Sequence, residues 1–295
     1  MMNKYPSKLI NVFNNVFKMQ WSKGRDENVV RRAKFVVQYF GEDTLINNIN
    51  EQSIDNLINE LDRRGLSAAT KNRYLSALST MLTFCLRRHD TYKLERKPYI
   101  KWFKEPKHEL RFLTNLEERT MINLLTAWGW HDELDFFVML IDTGMRLSEL
   151  YSLKVKNCFE DVVTLYNTKN NDSRGIPLTK RVQQIIKRHK EGKHSESRLF
   201  SQFARWHPDT CFRKVRKAMN LEHDKRFTIH CFRRTTACRL LNNQVPTKYV
   251  QQWLGHSDER MVEKYAKILS INLKSVVSVL EQSTEELNTA HHDVA

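Results

Sequence analysis

Two stretches of the sequence place arginine at spacings that suit the binding of an anionic group. In LIDTGMRLSELYSLK, Arg146 lies two residues after Gly144, at the predicted start of a helix. Glu149 lies three positions later, where its carboxylate can brace the guanidinium. In FTIHCFRRTTACRLL, His230 and Arg233 are again three residues apart and share one helical face. The pattern predicts guanidinium forks beside an imidazole, a combination able to bind phosphate oxygens and to accept a proton.

A lysine, a second histidine and a tyrosine could complete such a site. Lys169 stands at the edge of a turn in FEDVVTLYNTKNNDSRGIPLT, a pattern that predicts two short strands joined by that turn. QWLGHSDERMVEKYAK places His256 directly after a glycine and Tyr265 nine residues further on. Taken singly, each is an ordinary surface or half-buried residue. Taken with the arginines, they form a set suited to phosphoryl transfer.

These motifs, in this order and at these spacings, resemble the tyrosine recombinase (phage integrase) family. The Thr-Gly-x-Arg-x-x-Glu-Leu block matches residues 143–150, and the hairpin lysine is followed eight residues later by Pro177. The His-x-x-Arg block matches at His230, and the Leu-Gly-His block ends at His256, 23 residues after Arg233. The resemblance covers nearly the whole chain.

The sequence departs from the family pattern at two places after Arg233. Arg234 stands where the family commonly has histidine, and Asn243 and Gln244 occupy a turn in which glycine is common. Neither departure removes a catalytic position. The resemblance implies a catalytic set supported by Glu149, and that set comprises Arg146, Lys169, His230, Arg233, His256 and Tyr265.

The family's chemistry gives each member of this set a role. Tyr265 would attack the phosphorus and form a 3′-phosphotyrosine, but a phenol with an ordinary pKa near 10 needs a base, for which His230 is the natural choice. Lys169 would protonate the departing 5′ oxygen, and His256 would donate a hydrogen bond to the phosphate. Glu149 would orient Arg146 or His256. The set implies no metal and no other cofactor, since the arginines supply the positive charge.

Hydrophobic periodicity predicts amphipathic helices within DENVVRRAKFVVQYFG and NEQSIDNLINELDRRG. Overall it predicts a mainly α-helical protein with one small β-hairpin. The resemblance implies two domains that clasp DNA as a C-shaped clamp. The predicted organisation is an N-terminal extension (1–24), a helical, SAM-like core-binding domain (25–92), a basic linker (93–108), a mostly helical catalytic domain (109–269) and a tail helix exchanged between subunits (270–295).

Composition favours a polyanionic partner. The chain has 49 basic and 34 acidic residues, a formal net charge of +15. Basic residues concentrate in two blocks, with twelve Lys/Arg against three Asp/Glu over 63–107 and ten against three over 205–239. Such blocks favour nucleic acid through phosphate contacts and counterion release. Five cysteines without a Cys-x-x-Cys motif, and no apolar stretch near the ~20 residues needed to span a bilayer, predict a cytoplasmic protein with no membrane partner.

A third predicted helix, within LSAATKNRYLSALSTMLTFCLRRH, has one apolar and one basic, hydroxyl-rich side. A solvated surface and a DNA-contacting surface explain that second side equally well. The candidate DNA-binding residues are Lys71, Asn72, Arg73 and Ser76, together with Arg234 in the second region.

The resemblance implies a site-specific recombinase that joins specific core sites on double-stranded DNA as a homotetramer, with directionality or DNA-bending proteins as further partners. Integration or excision of a phage or other mobile element is favoured, because Arg234 and the tryptophan-rich TAWGWHDELDFF differ from the housekeeping group. The alternatives are a Xer-like housekeeping recombinase and a type IB topoisomerase, which relaxes DNA alone. A DNA-binding protein with a dead site is a third, which the complete catalytic set argues against.

Overall fold

The computed structural model describes residues 7–22, 27–106, 110–166 and 173–255. The chain divides into two compact units, residues 1–108 and residues 109–295. Each unit has its own buried apolar cluster.

Within the described residues, the first unit contains α1 (Leu9–Val16), α2 (Glu27–Phe40), α3 (Glu51–Arg63), α4 (Ala68–Leu86) and the short α5 (His89–Tyr92). A single π-helical turn, Phe17–Trp21, extends α1. Asn50 caps α3 through a reciprocal capping box with Ser53, and Ser67 caps α4 by accepting from the Thr70 N–H. The predicted helices over DENVVRRAKFVVQYF and over the SIDNLINEL stretch are confirmed as α2 and α3.

The boundary predicted at residue 25 differs from the structure. Leu9, Val12 and Val16 of α1 are fully buried in the same cluster as α2, α3 and α4, so the segment placed in an N-terminal extension is part of the first unit's core. The sequence does indicate this helix, because those three residues and Phe13 are spaced so that they form one apolar stripe on a helix.

The predicted basic linker has no helix or strand over residues 94–106, yet part of it packs on the first unit. Leu94 and Ile100 are each 5% exposed and belong to the unit's apolar cluster. The Lys97 ammonium donates to the hydroxyls of Ser79 and Thr83 on α4, at 2.6 and 3.2 Å. Burial lowers the pKa of Lys97. These contacts hold the segment against α4.

In the second unit, α7 (His131–Thr143) is the central helix, since its residues from Phe136 to Ile141 are all buried. The surrounding helices are α6 (Asn115–Ala127), α8 (Leu147–Ser152), α9 (Lys180–Lys190), α10 (His207–Ala218), α11 (His230–Asn242) and α12 (Thr247–Leu254). Phe137 meets both Phe212 of α10 and Phe232 of α11 edge to face, at ring-centroid distances of 6.1 and 5.6 Å. The aromatic cluster ties α10 and α11 to α7.

The predicted hairpin is present as β1 (Val162–Tyr166) and β2 (Ser173–Pro177), paired antiparallel. Val163 and Ile176 lie directly opposite each other and are fully buried. This burial fixes the register, because a one-residue slip of either strand would turn its buried side chain toward solvent. The expected mainly α architecture with one small hairpin is confirmed. No helix in the described part of the chain is long and apolar enough to cross a membrane.

Candidate active site

Arg146 is held in place from two sides at the beginning of α8. Its Nη1 donates to Glu149 Oε1 at 2.7 Å, and its backbone N–H donates to Glu149 Oε2 at 2.8 Å. Its Nη2 also approaches the Gly255 carbonyl at 3.3 Å. The predicted (i, i+3) brace is therefore formed, and the guanidinium points toward the end of α12 while remaining 43% exposed.

Arg233 is buried and is held by main-chain oxygens. Only 2% of the residue is exposed. Its Nη1 donates to the Gly144 carbonyl at 2.6 Å, and its Nη2 donates to the Leu254 carbonyl. These bonds to neutral main-chain oxygens fix the plane of the guanidinium.

Gly144 and Gly255 make this arrangement possible. Both have φ +63°, a left-handed conformation that residues with a Cβ adopt at a cost. A Cβ at Gly144 would lie 2.8 Å from Leu254 Cδ2, and a Cβ at Gly255 would lie 2.7 Å from Arg174 Nη1. The glycines therefore let the ends of α7 and α12 approach closely enough for their carbonyls to reach the arginines.

His230 begins α11 and borders a cavity of about 210 Å³ that Arg233 also lines. The other lining residues are Leu140, Met145, Leu147, Asp209, Thr228 and Ile229. His230 keeps a solvent-exposed edge, but partial burial of the ring and the positive charges of Arg234, Arg233 and Arg146 lower its pKa to about 4. The imidazole is therefore neutral at pH 7, the form that can accept a proton.

A titration of the DNA-free protein checks this electrostatic effect. We expect the ring protons of His230 to titrate near pH 4 by NMR, and the pKa to rise toward 6.5 in Arg234→Gln, because one neighbouring positive charge is removed. Since the folded pKa lies below the unfolded value, the unfolded chain binds more protons between these pH values. This residue's contribution to stability is then present above about pH 6.5 and is lost as the pH falls toward 4. A His230 pKa at or above 6.5 would contradict the assignment.

Three predicted catalytic residues, Lys169, His256 and Tyr265, lie outside the described residues, as does the tail helix predicted for 270–295. The structure brings together the others. Arg146 and Glu149 come from α8, His230 and Arg233 come from α11, and both arginines meet the Leu254–Gly255 turn that leads to His256.

Arg174 contacts this group of residues, although no sequence motif indicates it. It lies in β2, directly opposite Leu165 of β1, and its two terminal nitrogens donate to both oxygens of Glu149 at 3.2 and 2.7 Å. Burial would raise the pKa of Glu149, but hydrogen bonds from Arg174 and from the Arg146 backbone, with the charge of Arg174, hold it below its usual range. The carboxylate is therefore ionised at neutral pH and serves two arginines at once.

The candidate DNA-binding residues of α4 differ in their surroundings. Lys71 is 8% exposed, and its ammonium contacts Asp62 at 2.5 Å and lies 3.8 Å from the centroid of the Phe103 ring. Asn72 exchanges hydrogen bonds with the backbone of Phe103 at 2.8 and 2.9 Å. The expectation that these two residues lie on an open basic face is corrected, because the linker segment covers them.

Arg73 and Ser76 are exposed on α4, as the predicted polar side requires. Arg234 is half-buried on α11, next to Arg233. DNA contact through Arg73 and Ser76 on the first unit, and through Arg234 on the second, remains a prediction.

One group within the described ranges could supply ligands to a metal ion, namely Glu133, His207 and Cys211. These residues contact one another: His207 Nε2 lies 2.8 Å from Glu133 Oε1 and 3.3 Å from Cys211 Sγ. Burial and the nearby Glu133 carboxylate raise the pKa of Cys211 to about 11, which keeps the thiol protonated. The group shares no residue with the arginine site.

Comparisons with known proteins identify the family. Residues 108–270 match the model of the phage integrase family, which is more than half of the chain, and the chain therefore belongs to that family. Tyrosine recombinase XerA of Saccharolobus solfataricus is 25% identical over 192 residues, covering 62% of this chain and 64% of the relative. The integrase of Escherichia phage P2 is 26% identical over 219 residues, covering 73% of this chain and 60% of the relative. The chain thus spans less than two thirds of the length of either relative.

A solved structure shows the same fold. The Tn1549 transposon integrase, in complex with transposon right-end DNA, superposes with a TM-score of 0.69 and 18% sequence identity. The match covers 88% of this chain and 94% of that chain. At this identity the likeness concerns the fold alone.

Proposed function

We propose that the protein is a site-specific DNA recombinase that cleaves and rejoins DNA strands through a covalent 3′-phosphotyrosine. The observation that carries the proposal is the convergence of Arg146 and Arg233, 87 positions apart in the sequence, on the Leu254–Gly255 turn. Membership of the phage integrase family supports it, since the described residues include the family's first arginine block and its His-x-x-Arg block in contact with one turn.

The two guanidiniums suit the charge that develops during phosphodiester cleavage. Attack on the phosphorus places negative charge on the non-bridging oxygens of a five-coordinate intermediate or transition state. Arg146 and Arg233 stay protonated and are already oriented by Glu149 and by main-chain carbonyls, so little reorganisation is needed at the moment of reaction.

In the proposed cleavage step, one proton is accepted and one is donated. The Tyr265 oxygen bonds to phosphorus while the bond from phosphorus to the 5′ oxygen breaks. The phenolic proton passes to neutral His230, and Lys169 gives a proton to the departing 5′ oxygen. His256 donates a hydrogen bond to the phosphate. Because the phosphotyrosine keeps the energy of the broken ester, the reverse reaction reseals the strand without ATP.

DNA binding would draw on both units. The net charge of +15 supplies long-range attraction to phosphates. On the first unit we assign contacts to Arg73 and Ser76, and on the second to Arg234. Integration or excision of a phage or other mobile element is the proposed biological reaction, supported by the likeness to the P2 integrase. The likeness to XerA keeps a Xer-like housekeeping role as the alternative.

A trapping experiment tests the proposal. A pool of duplexes, randomised in sequence and nicked so that the cleaved fragment diffuses away, is incubated with the protein in the presence of EDTA. We expect protein attached to DNA 3′ ends in a denaturing gel, and peptide mapping should find the nucleotide on Tyr265. Sequencing the trapped DNA would give the core site. No adduct, or an adduct on another residue, would overturn the proposal. Relaxation of a plasmid lacking that site would favour a topoisomerase instead.

We further propose that residues 270–295 form a tail helix that docks on a neighbouring subunit in a DNA-bound tetramer. Leu273, Val276, Val277 and Leu280 would share one apolar face, which needs a partner surface. Removing 270–295 should leave single-site binding within about twofold, because the tail has four acids and one lysine and adds little phosphate contact. Paired-site complexes and recombination should fall by roughly tenfold or more, in line with a coupling energy of 1–3 kcal/mol. Gel shifts and a two-site assay measure both, and full-length recombination rates in the truncated protein would contradict the exchange.

A further inference from the structure

Arg174 contacts two separate parts of the site, Glu149 and Gly255. Through Nη1 and Nη2 it grips both oxygens of Glu149, the carboxylate that also holds Arg146. Its Nη1 lies so close to Gly255 that a Cβ at that position would be only 2.7 Å away. Arg174 itself is the second residue of β2, and it follows Lys169 by five positions in the sequence.

From this geometry we infer that Arg174 is a positioning residue for the proposed cleavage reaction, which it serves by holding Glu149 so that Glu149 can orient the Arg146 guanidinium. The inference rests on the proposed function for its catalytic consequence. The positioning itself can be measured in the protein without DNA.

The planar fork of arginine is what this position requires. Arg174 and Glu149 are 14% and 20% exposed at their side chains, so the pair is largely shielded from water and each unmade bond is costly. Two parallel N–H···O bonds fix the direction of the carboxylate as well as its charge, which a lysine ammonium does not do.

Without Arg174, the Glu149 carboxylate would keep, among the described residues, only the contacts from Arg146. One of those comes from the Arg146 backbone and the other from its side chain, so the carboxylate would depend on the residue it is meant to orient. Arg146 is 43% exposed and would gain rotamer freedom once Glu149 could turn.

Arg111 offers a matched control. It lies in the same unit, its side chain is 16% exposed, and it makes a similar fork to Glu117 with a further bond to Asp224. Arg111 makes no contact with Arg146, Glu149 or Gly255 among its described bonds. Arg111→Met should therefore cost stability much as Arg174→Met does, while leaving the site's geometry intact.

The first measurement needs no DNA and no activity. In ¹⁵N-labelled protein, we expect the order parameter of the Arg146 Nε–H bond to fall from a rigid value, about 0.85, to below about 0.6 in Arg174→Met. It should stay low in Arg174→Lys and remain rigid in Arg111→Met. An Arg146 side chain equally ordered in Arg174→Met and the unchanged protein would overturn the inference, whatever the cleavage assays show.

The second measurement follows cleavage and its pH dependence. Misorientation of Arg146 should slow adduct formation by roughly 10- to 100-fold in Arg174→Met, with binding of the DNA site little changed. The defect should persist on DNA with sulfur at the bridging 5′ position, because Arg146 acts on the phosphate and not on the leaving group. Full rescue by sulfur would mean that Arg174 serves Lys169, and would overturn the inference.

The pH profile separates positioning from general destabilisation. In Arg174→Met, Glu149 stays partly buried and loses the Arg174 bonds and charge that lower its pKa, while the bonds from Arg146, the remaining facing cation within the described residues, are kept. Cleavage should then fall more steeply than in Arg111→Met as the pH is lowered, and Arg174→Met/Glu149→Gln should lack this added dependence. Identical profiles for the two methionine variants would count against the inference. If the unchanged protein forms no adduct while the NMR result holds, the proposed function fails and the positioning stands.

Discussion

Replacing Tyr265 with phenylalanine is expected to abolish covalent attachment to DNA while leaving site binding near that of the unchanged protein. The phenol oxygen is the atom proposed to bond to phosphorus, and phenylalanine removes that atom while keeping the ring. The two guanidiniums and the basic surface proposed to hold the DNA are unchanged. A suicide substrate resolved in a denaturing gel measures attachment, and a gel shift on the same DNA measures binding.

Tyr249→Phe provides the control for this result. Tyr249 lies in α12, close to the site in sequence, and is 62% exposed. Its substitution should leave the adduct yield unchanged. An adduct that persists in Tyr265→Phe would assign the nucleophile to another residue and remove the central step of the mechanism.

Lys169→Ala is expected to slow cleavage of ordinary DNA by roughly 10²- to 10⁴-fold, the usual contribution of a positioned general acid. On a substrate whose bridging 5′ oxygen is replaced by sulfur, the rate should recover, because a thiolate departs without needing a proton. Adduct formation on the two substrates, compared with that of the unchanged protein, measures the effect.

The matched variant is Lys187→Ala, which removes an exposed lysine from α9 of the same unit. It lowers the net charge by the same amount and should leave both rates unchanged. Equal defects of Lys169→Ala on the oxygen and sulfur substrates would show that the lysine acts on binding or on the phosphate, and the general-acid role would have to be abandoned.

The parts of the fold that follow from local patterning were predictable. Apolar residues at helical spacing, with caps such as Asn50 before α3, specify α2 and α3 without knowledge of their neighbours. The β-branched and aromatic residues before the NNDS sequence likewise specify the two paired strands. The brace between Arg146 and Glu149 was predictable because it lies within one helical turn.

Contacts between distant segments were not predictable from these patterns. In the sequence, the position of Lys71 predicts a place on the polar face of a helix. Lys71 is buried because Phe103, thirty-two positions later, packs against it. Arg174 is one of many arginines, and no periodicity links it to Glu149, which lies 25 positions earlier. The missed α1 is different, because its apolar stripe was present in the sequence and only its short length concealed it.

The anchoring of Arg233 by the carbonyls of Gly144 and Leu254 bears on how the family can diverge. A main-chain oxygen is present whatever side chain stands at that position, so ordinary drift in the surrounding sequence does not delete this anchor. Only a change of backbone conformation can remove it, and that conformation depends on glycines at 144 and 255. We therefore expect a substitution at residue 144 or 255 to disturb the anchor more than one that leaves the main chain in place, although neither glycine carries a functional group.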